Sequence, residues 1–165
     1  MRTQTPLRTP AGRAAILALA LFLAGARELR AQLLVVTGAR SLGFGNVLPG
    51  VPTTVQPTDA VRSGQFDITG PSLARVEITF ALPTVLQAGP GLTVPISFGA
   101  TSAGYSASGS IAGQTAFDPR TPFRVNLSVL GRGSVFLGGL LTPPTSQAAG
   151  SYTATVSVTV AIVGL

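Results

Sequence analysis

Hydrophobic and polar positions alternate along much of this chain with a period of two. The longest run covers residues 151–163. Tyr152, Ala154, Val156, Val158, Val160 and Ile162 fall on one side of it, and Ser151, Thr153, Thr155, Ser157 and Thr159 on the other. That period belongs to an extended strand with one face on a core and one in water. β-branched residues dominate the run, and their stiff first torsion favours pleated backbone. The same period places Phe66 and Ile68 inward over 64–69, and Val76, Ile78, Phe80 and Leu82 inward over 74–82. It recurs at Leu92, Val94, Ile96 and Phe98, and again at Phe123, Val125, Leu127 and Val129. Shorter strands are predicted at 33–37, 41–47 and 51–56, and an apolar stretch covers 134–142. Pro95 has no N–H for a ladder, so its strand is expected at a sheet edge or at a bulge. Residues 99–113, rich in Gly, Ser and Ala, read as a loop or weak hairpin. No segment beyond residue 31 carries a helical period, so the fold class is all-β.

The first thirty-odd residues follow a different logic. Arg2, Arg8 and Arg13 precede an apolar run over 14–26, and Arg27, Glu28 and Arg30 follow it. A basic leader, an apolar centre and a small-residue exit make an N-terminal signal peptide. The run falls short of the roughly 20 apolar residues that span a bilayer, so a retained anchor is the weaker reading. Cleavage fits after Ala26 or after Ala31. The second is preferred because the first would leave charged Arg27 and Glu28 at the mature start. The expected organisation is a signal peptide over 1–31 and one β-sandwich domain over 32–165. Such a protein is exported, to the periplasm, the cell surface or the medium, with no membrane span after cleavage. No cysteine is present, so lipid attachment at an N-terminal cysteine is excluded.

The leader also carries most of the charge. The whole chain has a formal net charge of +6. Beyond residue 31, Arg40, Arg62, Arg75, Arg120, Arg124 and Arg132 stand against Asp59, Asp67, Glu77 and Asp118, a slight positive excess. These arginines are scattered along the chain rather than clustered, so nucleic acid is not an expected partner. There is no His, Cys or Lys. Ser-His-Asp, Cys-His and Schiff-base catalysis and His-ligated metal sites are therefore beyond this chain's own residues. The remaining acid–base option is Asp67 with Glu77, on outward positions of consecutive predicted strands. A solvated strand face, with Arg75 offsetting one acid, accounts for the pair more simply. No enzymatic activity, no cofactor and no metal is expected. A membrane barrel would need aromatic girdles, and the chain has no Trp and only two Tyr.

Five stretches in fixed order carry a resemblance. They are Leu42-Gly43-Phe44-Gly45-Asn46-Val47-Leu48-Pro49-Gly50, Gly64-Gln65-Phe66-Asp67-Ile68-Thr69-Gly70, Val76-Glu77-Ile78-Thr79-Phe80-Ala81-Leu82-Pro83, Phe136-Leu137-Gly138-Gly139-Leu140, and the run from Ala149 to Val160. Together they resemble the bacterial domain-of-unknown-function family 4402, exported β-sandwiches distantly similar to spore coat U and pilin-type subunits. The resemblance implies an antiparallel, immunoglobulin-like or pilin-like sandwich and brings no catalytic site with it. The expected role is a non-enzymatic envelope or surface component, structural, pilin-like or adhesive, that pairs a strand edge with another chain or with a second copy. Leu33, Val35 and Thr37 mark the candidate donor strand, with the domain's own first strand as the plainer reading of the same segment. A monomeric envelope module that binds glycans through the loops at 102–114 and 143–149 is the alternative.

Overall fold

A computed structural model of the chain describes residues 33–164. The expected signal peptide over 1–31 lies outside them. Twelve strands occur in this order: β1 (Val35–Arg40), β2 (Thr53–Val55), β3 (Gly64–Thr69), β4 (Arg75–Ala81), β5 (Val85–Gly89), β6 (Leu92–Ser97), β7 (Ala103–Ser106), β8 (Thr115–Phe117), β9 (Phe123–Asn126), β10 (Arg132–Leu137), β11 (Gly139–Leu141) and β12 (Ser157–Gly164). The described residues contain no helix, and every strand pair is antiparallel. The fold is all-β, as the alternation predicts.

The strands form three open sheets with the orders β1-β3-β10-β7-β8, β2-β11-β6-β5 and β12-β4-β9. Inward positions of the five-stranded and three-stranded sheets meet through a layer of rings. Phe117 of β8 stacks on Phe123 of β9 with centroids 4.1 Å apart, and Phe66 of β3 meets Phe80 of β4 edge-on at 6.1 Å. Tyr105 of β7 donates its hydroxyl to the Asn126 carbonyl across the same gap at 2.9 Å. One buried cluster joins all three sheets, with Ile68 and Val135 from the first, Val76 and Ile78 from the third, and Val94 and Ile96 from the second. Full burial of each such aliphatic side chain stabilises by about 1.5–3 kcal/mol.

Residues 132–141 run through two sheets. β10 ends at Leu137, β11 begins at Gly139, and Gly138 between them donates its N–H to the Ser102 carbonyl at 2.8 Å. A side chain at Gly138 would collide with the Val55 carbonyl, so only glycine allows the crossing. The stretch expected over 134–142 is thus two strands, bent where the chain changes sheet.

Other expectations are corrected. Residues 41–47 form no strand: Gly45 takes a φ of 68°, and the segment turns to bury Phe44. Val129 and Leu92 were expected inward but are exposed, because β9 ends at Asn126 and Leu92 opens β6 beside a turn. Pro95 stands in an interior strand, β6, between β5 and β11. It is tolerated at the end of the β6–β11 ladder, where its carbonyl still accepts the Thr142 N–H at 3.0 Å. β5 and β8 were not predicted. The final strand begins at Ser157 rather than at residue 151.

Candidate functional site

Residues 151–156 hold the first half of the longest alternating run, yet they join no ladder. Among the described residues, only Thr153 in this stretch exchanges backbone hydrogen bonds, with Gln87 of β5 at 2.9 Å in each direction. Antiparallel geometry sends the N–H and C=O groups of successive residues to opposite edges. Thr153 faces β5, so the main-chain groups of Tyr152 and Ala154 face away from it.

A cleft of about 1170 Å³ lies on that side. One wall is residues 147–154 with Val156, and the other is residues 38–47. The floor includes Leu86, Val94, Ile96, Leu137 and Leu141, all of which belong to the core or pack against it. The second wall starts on β1, an edge strand whose single partner among the described residues is β3. Main-chain groups of Tyr152 and Ala154 on one side and the start of the second wall on β1 at 38–40 on the other, unpaired among the described residues, therefore border an apolar floor.

The wall at 147–152 is tied down by its own polar groups. Tyr152 donates its hydroxyl to the Ala148 carbonyl at 2.8 Å and accepts from the Gln147 amide. The Gln147 Oε1 is buried and has no donor among the described residues. A buried acceptor without a donor is costly.

The expected donor segment is placed as β1. Val35 pairs with Thr69 and Thr37 with Asp67. Leu33, Val35 and Thr37 are exposed, while Leu34 and Val36 pack against the core. β1 is thus a strand of the domain's own sheet, with its outer edge unpaired.

The two carboxylates are not brought together. Asp67 accepts from Ser134 at 2.7 Å and from Gln65 at 2.9 Å, on the outer face of the five-stranded sheet. Glu77 lies on the outer face of the three-stranded sheet and is held by Arg124 at 2.6 Å, not by Arg75. The core separates them, because Ile68 beside Asp67 and Val76 and Ile78 beside Glu77 belong to the core and Phe66 meets Phe80 of the facing sheet. Among the described residues, no group of three or more His, Cys, Asp or Glu is placed to hold a metal ion.

The proposed glycan loops divide. Residues 103–106 within the first are the buried strand β7, and residues 107–114 cross back over the outer face of their sheet. There Gln114 is bound to the Pro57 and Ile111 carbonyls at 3.2 and 2.8 Å. The second loop supplies Pro143 and residues 147–149 to the cleft wall. Sequence reasoning missed the cleft. Its signal was present in the strand-like residues 151–156, but the absence of a partner strand is a tertiary fact.

No curated protein matches this chain. A family model described as a domain of unknown function matches residues 33–162, which is nearly the whole of the described domain. The chain therefore belongs to the DUF4402 family.

Proposed function

We propose that this protein is an exported, non-enzymatic component of the cell envelope or surface that binds another polypeptide by strand addition at the cleft. The observation that carries this reading is the strand-like segment 151–156, paired at Thr153 alone among the described residues, beside an apolar floor. An incoming extended chain would gain main-chain hydrogen bonds from Tyr152 and Ala154. Every second side chain would enter the floor between Leu137 and Ile96. Main-chain bonding supplies affinity in this mode, and the buried alternate side chains supply selectivity. The expected donor is an alternating segment of a second copy or of a partner subunit.

Deleting residues 32–40 is a poor test, because β1 forms five register pairs with β3. Ala154→Pro is a better one. It removes an exposed N–H that faces the cleft and leaves the Thr153–Gln87 pair in place. Light scattering should detect concentration-dependent oligomers of the wild type, and Ala154→Pro should be monomeric with its cooperative melt retained. A wild type that stays monomeric at every concentration and captures no partner chain would end this reading.

A further inference from the structure

The end of the domain where residues 70–74 and 127–131 cross between sheets has a different character from the cleft. Both segments connect the five-stranded and three-stranded sheets at the same pole, and they are tied together there. Gly70 donates its N–H to the Gly131 carbonyl at 2.8 Å, Leu73 to the Ser128 carbonyl at 3.1 Å, and Ser72 Oγ to the Val129 carbonyl at 2.7 Å. On this braced tip, Leu73, Val129 and Leu130 are 57, 70 and 75 % exposed. Single exposed aliphatics are ordinary, but three on two joined loops form a patch.

Leu73 adds a second, independent observation. Its φ is 59°, and it is the one non-glycine residue in the left-handed region among the described residues. Leucine is strained there, and strained backbone clusters at functional positions. Here a strained backbone presents an aliphatic side chain to solvent.

Charge completes the pattern. Arg75 opens β4 and Arg132 opens β10, so both sit one step below the tip. By strand alternation, Arg75 shares the outer face of Glu77, and Arg132 the outer face of Ser134. The two guanidinium groups therefore flank the pole on opposite sides. Both residues are exposed, and neither forms an ion pair among the described residues. The acids nearest in register are already held: Glu77, on β4 with Arg75, by Arg124, and Asp67, on the neighbouring β3 opposite Ser134, by Ser134 and Gln65.

We propose that this pole docks onto an anionic lipid surface, with Leu73, Val129 and Leu130 entering the acyl boundary and Arg75 and Arg132 meeting headgroup phosphates. Aliphatic side chains projecting from loop tips suit a fluid that conforms to them better than a flat protein face. Cations just beneath an apolar tip lie at the depth of the headgroups. Apolar insertion and electrostatic attraction are the two sources of such binding.

Vesicle co-sedimentation of the full chain tests this, using phosphatidylcholine alone and phosphatidylcholine mixed with phosphatidylglycerol. Every variant shares the N-terminal run, so differences between variants report on the pole. Val129→Ser with Leu130→Ser should weaken binding about tenfold or more. Arg75→Gln and Arg132→Gln should each cost about fivefold, on the phosphatidylglycerol vesicles only. Leu73→Asn suits the left-handed backbone, so it should raise or hold the melting temperature while weakening binding. That split would not arise from a purely structural leucine. Equal binding by all variants would overturn the proposal. So would light scattering that finds a dimer abolished by Val129→Ser with Leu130→Ser, since the patch would then serve a second copy.

Discussion

Asp59 and Asp118 show how single side chains shape the loops. Asp59 accepts the backbone N–H groups of Arg62 and Val61 and then the Arg62 guanidinium, and its carboxyl is held at about 2. Asp118 is held at about 2 by the Arg120 guanidinium and then by the Arg120 N–H. Both values lie below the ordinary ~3.9, so the unfolded chain binds these protons more tightly. Their stabilisation is full above about pH 4 and is lost as pH falls toward about 2. The melting temperature should therefore be level from neutral pH to about pH 4 and then fall toward pH 2. Asp59→Asn with Asp118→Asn should flatten that fall. The effect is modest because both groups are exposed and screened. Destabilisation that starts well above pH 5 and survives in the double variant would assign it to other groups. At this scale the sequence was partly legible. The turn roles of Asp59 and Asp118 follow from the Pro57-Thr58-Asp59 and Asp118-Pro119 stretches, whose residues are local turn signals. That Glu77 takes Arg124 rather than Arg75 follows from the β4–β9 register, which no local pattern contains.

Strands were legible wherever alternation and burial coincide. β3 matches its predicted span over 64–69, and β4 falls within 74–82, because each alternates cleanly and has a ladder on both sides. β5 escaped notice because its residues VLQAG carry no clear period and it is held by its hairpin with β6. The stretch 41–47 misled for the opposite reason: its apolar residues alternate with glycines that turn instead of extending. The bend at Gly138 is the sharpest test at this scale. Gly138→Ala should cost about 3 kcal/mol in urea unfolding, since the new methyl meets backbone that cannot rotate away. The neighbouring exposed Thr142→Ala should be nearly neutral. A cost for Gly138→Ala within about 0.5 kcal/mol would show that the chain crosses between sheets without needing glycine there.

For the molecule as a whole, class was readable and connectivity was not. Alternation implies two-faced strands and hence stacked sheets. It is silent on which strands pair, because pairings such as β3 with β10 and β4 with β12 join residues far apart in the chain. The division into three sheets depends on one bend and on the aromatic layer, and both are tertiary. That layer should couple the five-stranded and three-stranded sheets into a single cooperative unit. Phe117→Ala removes the ring stacked on Phe123 and should lower stability by about 4 kcal/mol while unfolding stays a single transition. Tyr105→Phe should cost about 1 kcal/mol through the lost bond to Asn126. Two separate transitions in Phe117→Ala would mean that the sheets had been decoupled.

The placement of β1 and β12 has a mechanical consequence. β1 enters beside Thr69 and β12 leaves beside Arg75, so the first and last described strands meet the outside at one pole, each an edge strand with a single neighbour among the described residues. Tension applied through these two ends would load hydrogen bonds one after another, as in a zipper, instead of shearing a whole ladder at once. The domain would resist heat through its core yet yield to a gentle pull, shedding its outer ribbons first.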